Sequence, residues 1–358
     1  MFLSLASPIR CGASRLTSTC AKAYVSTNAH GVPSLMTLAD VRTEQIDQIL
    51  QHSAALKHKA RHTALGLSGI ESSLTKKTIA LVFSKRSTRT RVASESSVAA
   101  LGGHAMFLSP SDIQLGVNES LYDTAHVVSS MVDGIMARVG SHDEIEMLAG
   151  NSRVPVINAL SSRFHPTQIL ADLLTMLEAD GQTSCKALAG KKVAWVGDSN
   201  NILNDMLVTY PRLGMHLSVA APQGPAYACD PIVWDLMQKG LEELPSDQPR
   251  GHVEWCHDPL RAVRDADYIV TDTWISMGDE AQKEQRLRDF AGFQVTDDLA
   301  RQGKAKPDWK FMHCLPRKAE EVSDDVFYGP HSMVFPEAEN RKWTIMACFD
   351  WLFGRRAL

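Results

Sequence analysis

The stretch Thr78-Ile-Ala-Leu-Val-Phe-Ser-Lys-Arg-Ser-Thr-Arg-Thr-Arg91 contains the transition on which the reading of the fold turns. Its first six residues are an apolar run rich in strand formers, and a helical pattern follows through Val98. The rest of the chain repeats this alternation. His104–Leu108, Gly134–Val139 and Val154–Leu160 read as further strands, with helical segments around 120–132 and 143–149. A helix over 167–180 carries Ile169, Leu170, Leu173, Leu174 and Leu177 at helical spacing. The small, polar segment Ala179–Gly190 then reads as a boundary. Beyond it, Lys192–Gly197, Leu217–Ala221, His252–Cys256, Tyr268–Thr271 and Trp309–His313 read as strands with helices between, and a last helix is expected from Glu337 to about Phe353. Strands apolar on both faces and separated by helices imply parallel sheets covered on two sides. The expectation is two similar α/β domains, each with a central parallel sheet flanked by helices. They occupy 35–178 and 190–336, after a leader over 1–34 and before a C-terminal helix over 337–358.

Composition narrows the function. The chain has 358 residues, 37 Lys and Arg against 41 Asp and Glu, and a formal charge of −4. That balance argues against a nucleic-acid-binding surface, and no run of eighteen apolar residues offers a membrane span. The charge is uneven. Residues 1–39 carry Arg10, Arg15 and Lys22, six Ser, four Thr and no acid before Asp40. This basic, hydroxyl-rich, acid-poor composition is that of a mitochondrial import leader. Removing it leaves 34 basic residues against 41 acidic ones, a charge of −7. The seven cysteines show no CxxC spacing, so they form neither a zinc site nor a disulfide framework, and a reducing compartment fits them.

Chemistry concentrates at strand ends. Ser87, Thr88, Arg89 and Thr90 sit where β passes to α, at the carboxyl edge where open α/β sheets bind ligands. Free N–H groups, hydroxyls and a guanidinium there can make a phosphate site without a glycine-rich loop. Lys85, Arg86, Arg89 and Arg91 also oppose the helix dipole, which favours acids at this end unless an anion is bound. Arg138 ends an apolar strand and needs an anionic partner, a ligand or a structural carboxylate. His165-Pro-Thr-Gln168 sets an imidazole and an amide at a helix start. In the second half, Val196-Gly-Asp-Ser-Asn-Asn201 supplies one glycine rather than the GxGxxG of a dinucleotide site, which weakens the oxidoreductase reading. Its paired asparagines suggest amide contacts. Asp272, in Asp272-Thr-Trp-Ile-Ser-Met-Gly278, can pair with an ammonium, and His313-Cys-Leu-Pro316 follows a third strand end.

Together these segments resemble the aspartate/ornithine carbamoyltransferase family over about 35–352, in order and spacing. Ser87-Thr-Arg-Thr-Arg91 matches its carbamoyl-phosphate signature, His165-Pro-Thr-Gln168 and His313-Cys-Leu-Pro316 match two further signatures, and Asp272 with Ser276-Met-Gly278 looks like the ornithine-type loop. The resemblance implies carbamoyl transfer from carbamoyl phosphate to the δ-amine of L-ornithine, with no metal or organic cofactor. It makes 35–178 the carbamoyl-phosphate domain and 190–336 the ornithine domain, with the last helix returning to the first. It assigns Ser87, Thr88, Arg89 and Thr90 to the phosphate, and Arg138, His165 and Gln168 to the carbonyl and amino ends. Asn201, Asp272, Ser276 and Met277 are assigned to the ornithine backbone, with Asn201 favoured over Asn200. Cys314 and the Leu315 carbonyl face the reacting amine, and Arg341 returns from the last helix. Arg138, His165 and Cys314 are the catalytic set. The family's catalytic trimer implies a homotrimer in which a neighbour supplies Gln114, and the leader implies the mitochondrial matrix. An inactive family member retained as a binding partner is the competing reading from another class; the intact anion and amine signatures argue against it.

Overall fold

The computed structural model describes residues 27–109, 119–275 and 283–354. The first 26 residues of the expected leader therefore lie outside the described residues. The first half runs α1 (Thr43–His62), β1 (Thr78–Phe83), α2 (Thr88–Ala100), β2 (His104–Leu108), α3 (Leu121–Ser129), β3 (Gly134–Arg138), α4 (His142–Asn151), β4 (Val156–Leu160) and α5 (Pro166–Ala179). The second half runs β5 (Lys192–Val196), α6 (Asn201–Thr209), β6 (His216–Ala220), α7 (Pro231–Glu242), β7 (Val253–Cys256), α8 (Pro259–Ala262) and β8 (Tyr268–Thr271). It continues through α9 (Lys283–Asp289), α10 (Asp297–Gly303), β9 (Lys310–His313), α11 (Asp324–Phe327) and α12 (Val334–Leu352).

Two parallel sheets result, ordered β2-β1-β3-β4 and β7-β6-β5-β8-β9. This is the two-sheet α/β architecture the sequence pattern predicts. In the first sheet the strand order reverses between β1 and β3, and in the second between β5 and β8. Such reversals open a crevice at the carboxyl ends of the strands, because the connecting helices leave on opposite faces. Register decides what lines each crevice. Phe83 pairs with Arg138, so the Ser84–Arg91 turn begins beside the Arg138 side chain. Opposite β4, Ala137 pairs with Asn158 and Arg138 with Leu160, a bulge that skips Ala159 at the position that aims Arg138. In the second sheet Thr271 pairs with His313, which makes Asp272 and Cys314 neighbours one step beyond the ladder.

Helix α12 starts at Val334, three residues earlier than its sequence pattern suggests, because Pro336 is tolerated within a first helical turn. It packs on α5, α2 and α1 and so carries the chain back onto the first half. One apolar cluster, from Leu35 to Phe353, passes through both halves. The halves are also pinned by polar groups. Asp205 on α6 accepts from the Thr37 hydroxyl at 2.9 Å and the Leu38 N–H at 3.2 Å with one oxygen. Its other oxygen accepts the His165 N–H at 2.5 Å. Arg212 donates to the Leu38 and Ala39 carbonyls at 3.0 and 3.1 Å, gripping the far end of the same turn. No helix among the described residues is long and apolar enough to cross a membrane.

Candidate active site

The crevice of the first sheet is built to hold an anion. Ser87 caps α2, its hydroxyl accepting from the Thr90 N–H at 3.4 Å, and no acid occupies the first turn. Of the four basic residues here, Arg89 is the one engaged across the crevice: its Nη2 donates to the Leu315 carbonyl at 2.5 Å. Arg91 turns outward, bound to Glu95 at 2.9 Å and lying 3.6 Å over the Phe107 ring. Lys85 and Arg86 are exposed, as is Thr88, while Thr90 is buried. Arg138 is 9% exposed, and its Nε finds no partner among the described residues. Burial pushes its guanidinium down to about 10, with the Cys314 thiol acting against that shift and Arg89 adding to it. A buried cation without a counter-charge is costly unless a ligand supplies one.

His165 caps the start of α5 and is buried. Burial, then the charges of Arg341, Arg138 and Arg89, hold its imidazole well below the usual range, so it is neutral. The Thr167 hydroxyl lies 3.4 Å from His165 Nδ1 and accepts from Arg341 Nη2 at 3.2 Å. With its oxygen occupied, that hydroxyl is free to donate to Nδ1, which leaves the His165 proton on Nε2 as a donor. Arg341 also donates to Gln168 Oε1 at 2.6 Å and to the Thr90 hydroxyl at 3.4 Å. Burial lowers it to about 10.

The crevice of the second sheet has the opposite character. Asn200 caps α6, accepting from the Ile202 and Leu203 N–H groups at 3.0 and 3.2 Å. Its amide donates to Asp272 Oδ2 at 2.8 Å, and the Cys314 thiol donates to Asp272 Oδ1 at 2.8 Å. Burial and the Asp272 charge push the Cys314 thiol far up, so it is a donor and not a thiolate. Leu315 takes the left-handed conformation (φ +62), with its N–H on His313 Nδ1 at 2.9 Å and its carbonyl on Arg89. Interactions at both ends therefore hold a conformation that disfavours side chains. Asp272, His313 and Cys314 offer donor atoms within 4.8 Å of one another. They are already spent on each other and on Glu321, which lies 3.1 Å from His313 Nε2, so the cluster fits a hydrogen-bond network better than an ion.

Ser87, Arg89, Thr90, Arg138, His165, Gln168, Arg341, Asp272, Cys314 and Leu315 thus converge where the two crevices face each other. At the edge of the second crevice Asn201 directs its amide to the Ser161 carbonyl at 2.7 Å, and its neighbour Asn200 reaches Asp272. Gln114, Ser276 and Met277 lie outside the described residues. Sequence reasoning missed the buried acids Asp172, Asp205 and Glu337, and the pair of Asp198 with Arg286, whose Nε donates to the Trp274 carbonyl at 2.5 Å. Asp205, Glu337 and the Asp198–Arg286 pair are defined by partners distant in sequence, and the Gln168–Asp172 contact, four residues apart on one helix, takes its meaning from Glu337.

Two family models match the chain: "Aspartate/ornithine carbamoyltransferase, carbamoyl-P binding domain" over 34–178 and "Aspartate/ornithine carbamoyltransferase, Asp/Orn binding domain" over 189–352. Among similar proteins is the mitochondrial ornithine carbamoyltransferase of Schizosaccharomyces pombe, 48% identical, with 90% of this chain and 94% of that one covered. Among solved structures, a mitochondrial ornithine carbamoyltransferase from Coccidioides immitis superposes with a TM-score of 0.83 at 44% identity, covering 90% of this chain and 98% of that one. The ornithine carbamoyltransferase of Pyrococcus furiosus gives 0.80 at 41% identity, covering 89% and 96%.

Proposed function

The chain belongs to the aspartate/ornithine carbamoyltransferase family, and from that premise we propose that it moves the carbamoyl group of carbamoyl phosphate onto the δ-amine of L-ornithine. The products are L-citrulline and phosphate. The observation that carries the reading is the meeting of two unlike crevices, with Arg89 on the Leu315 carbonyl and Cys314 on Asp272. One side suits a dianion and the other an amine.

In this reading Ser87, Thr88, Arg89 and Thr90 hold the phosphate, joined by Arg341 and by Gln114 of a neighbouring copy. Ornithine's backbone ends are held by Asn201, Asp272, Ser276 and Met277. Its δ-ammonium first loses a proton, since only the neutral amine carries the lone pair that attacks the carbonyl carbon. Donors from Arg138, His165 Nε2 and Thr90 stabilise the oxyanion of the tetrahedral intermediate. A neutral imidazole serves here as a donor and needs no change of charge. As the C–O bond to phosphate breaks, the leaving phosphate takes the proton from the attacking nitrogen, so no strong protein base is required. Cys314 and the Leu315 carbonyl hold the amine in line, and clamping both substrates makes the step effectively unimolecular. Exclusion of water protects the labile donor, which favours closure and binding of carbamoyl phosphate first.

The domain assignment follows the same reading: 35–178 for carbamoyl phosphate, 190–336 for ornithine, and 337–358 as the returning helix. Residues 1–34 are a leader directing the chain to the mitochondrial matrix, and the working unit is a homotrimer. The test offers the protein carbamoyl phosphate with ornithine, N-acetylornithine, putrescine or aspartate. Citrulline from ornithine is expected, and robust product from another amine without citrulline would overturn the assignment.

A further inference from the structure

Directly behind Gln168 two acids are sealed from solvent, Asp172 on α5 and Glu337 on α12, each 1% exposed. Their oxygens converge on one nitrogen. Gln168 Nε2 donates to Asp172 Oδ1 at 2.8 Å and to Glu337 Oε1 at 2.7 Å, so the two carboxyl groups meet across one nitrogen. The second oxygen of Glu337 accepts the His313 N–H at 2.9 Å, the residue just before Cys314. The charged and titratable groups facing the pair are Arg341, Asp272, Cys314 and Tyr210. Arg341 is the one cation among them, and its hydrogen bonds go to Gln168, Thr90 and Thr167. Two carboxyl groups sealed side by side on one amide, with Arg341 bonded elsewhere, disfavour a second negative charge, so the pair keeps one proton. Burial acts in the same sense, raising Glu337 well above its ordinary value and Asp172 to about 7.

The geometry has a consequence for Gln168. Both of its N–H bonds are spent on the acids, so Oε1 is turned to Arg341 and keeps one lone pair for a ligand. Gln168 therefore offers an acceptor, suited to the amino end of a carbamoyl group rather than to its carbonyl oxygen. We propose that Asp172 and Glu337 are a positioning pair that holds one proton between them, locks Gln168 as an acceptor for the amino end of carbamoyl phosphate, and anchors the strand end bearing Cys314 to the same point. The substrate named here rests on the carbamoyl-transfer reading above.

The experiment compares the full-length wild type with Glu337→Leu and Glu337→Gln. Leu removes both acceptors, and the apparent KM for carbamoyl phosphate should rise about tenfold, well beyond any change in the KM for ornithine. Gln keeps an acceptor for the His313 N–H and leaves Asp172 to accept from Gln168, giving up only its own acceptor for that amide, and should recover part of that loss. Infrared spectra at neutral pH should show the C=O stretch of a protonated buried carboxylic acid in the wild type and its loss in Glu337→Gln. Equal damage from Gln and Leu, or no such band in the wild type, would overturn the proposal. The infrared arm needs neither activity nor a folded Leu variant. A wild type that makes no citrulline would instead overturn the transfer reading, and the band would still decide the pair.

Discussion

The two crevices invite comparison because they share a topology and oppose each other in charge. Both lie where strand order reverses in a parallel sheet, and both present side chains from helix starts and strand ends. In the first, guanidiniums are buried without bonded anions: among the described residues Arg138 and Arg341 both leave Nε unpartnered, and the Nη groups of Arg341 bond neutral oxygens. In the second, the cation Arg286 is paired with Asp198, and Asp272 accepts only from neutral donors, the Asn200 amide and a protonated thiol. The lesson is that each sheet leaves its own charge uncompensated at the crevice. The anion pole is destabilised until a phosphate arrives, and the amine pole offers a carboxylate that suits an amino group of ornithine.

The largest expected effect comes from breaking the anion pole. Arg138→Met should lower kcat about 10²–10³-fold, as loss of an oxyanion donor does. The same variant should keep or raise its Tm, because it removes a buried and unpartnered cation. A fall in Tm with little change in kcat would make Arg138 a structural residue and end the contrast. Next in size is the amine pole. Asp272→Asn should raise the KM for ornithine about tenfold or more, since a charged acceptor is lost. Steady-state kinetics with each substrate varied in turn would show a matching rise for carbamoyl phosphate if the poles are not separate.

The smallest effect concerns Asp205, which pins the poles together. Burial pushes its carboxyl up to about 7 from an ordinary 3.8, against the Thr37, Leu38 and His165 donors. The folded state then binds more protons than the unfolded one between those values. Its contribution to stability therefore falls as pH rises from about 4 to about 7 and is flat above. Asp205→Asn abolishes that titration, so its Tm should improve relative to wild type between pH 5 and pH 8, whatever constant cost the lost hydrogen bond adds. A Tm difference that does not change with pH would mean that Asp205 does not titrate in this range.

Much of this architecture could be read from the chain. The strands from Thr78–Phe83 to Lys310–His313 are short apolar runs, and such runs declare themselves without tertiary information. Helix α1 is hard to discern in the sequence, although Ile46, Ile49, Leu50, Ser53 and Leu56 lie on its buried face. Those residues are diluted by Gln, His and Lys, and no continuous run draws attention to them. At the site, Arg89 and Arg138 were readable because basic residues at strand ends contradict local preference. Asp172, Asp205 and Glu337 were not, because a buried acid is recognisable only by its partners. Glu337 lies 169 residues from Gln168, and Asp205 lies 40 from His165.

The division into two poles is tested most directly by calorimetric titration of carbamoyl phosphate into the wild type, Arg89→Ala and Asp272→Asn. The account predicts that Arg89→Ala remains folded and loses measurable binding, while Asp272→Asn binds as the wild type does. Unchanged affinity in Arg89→Ala, or equal loss in Asp272→Asn, would contradict it.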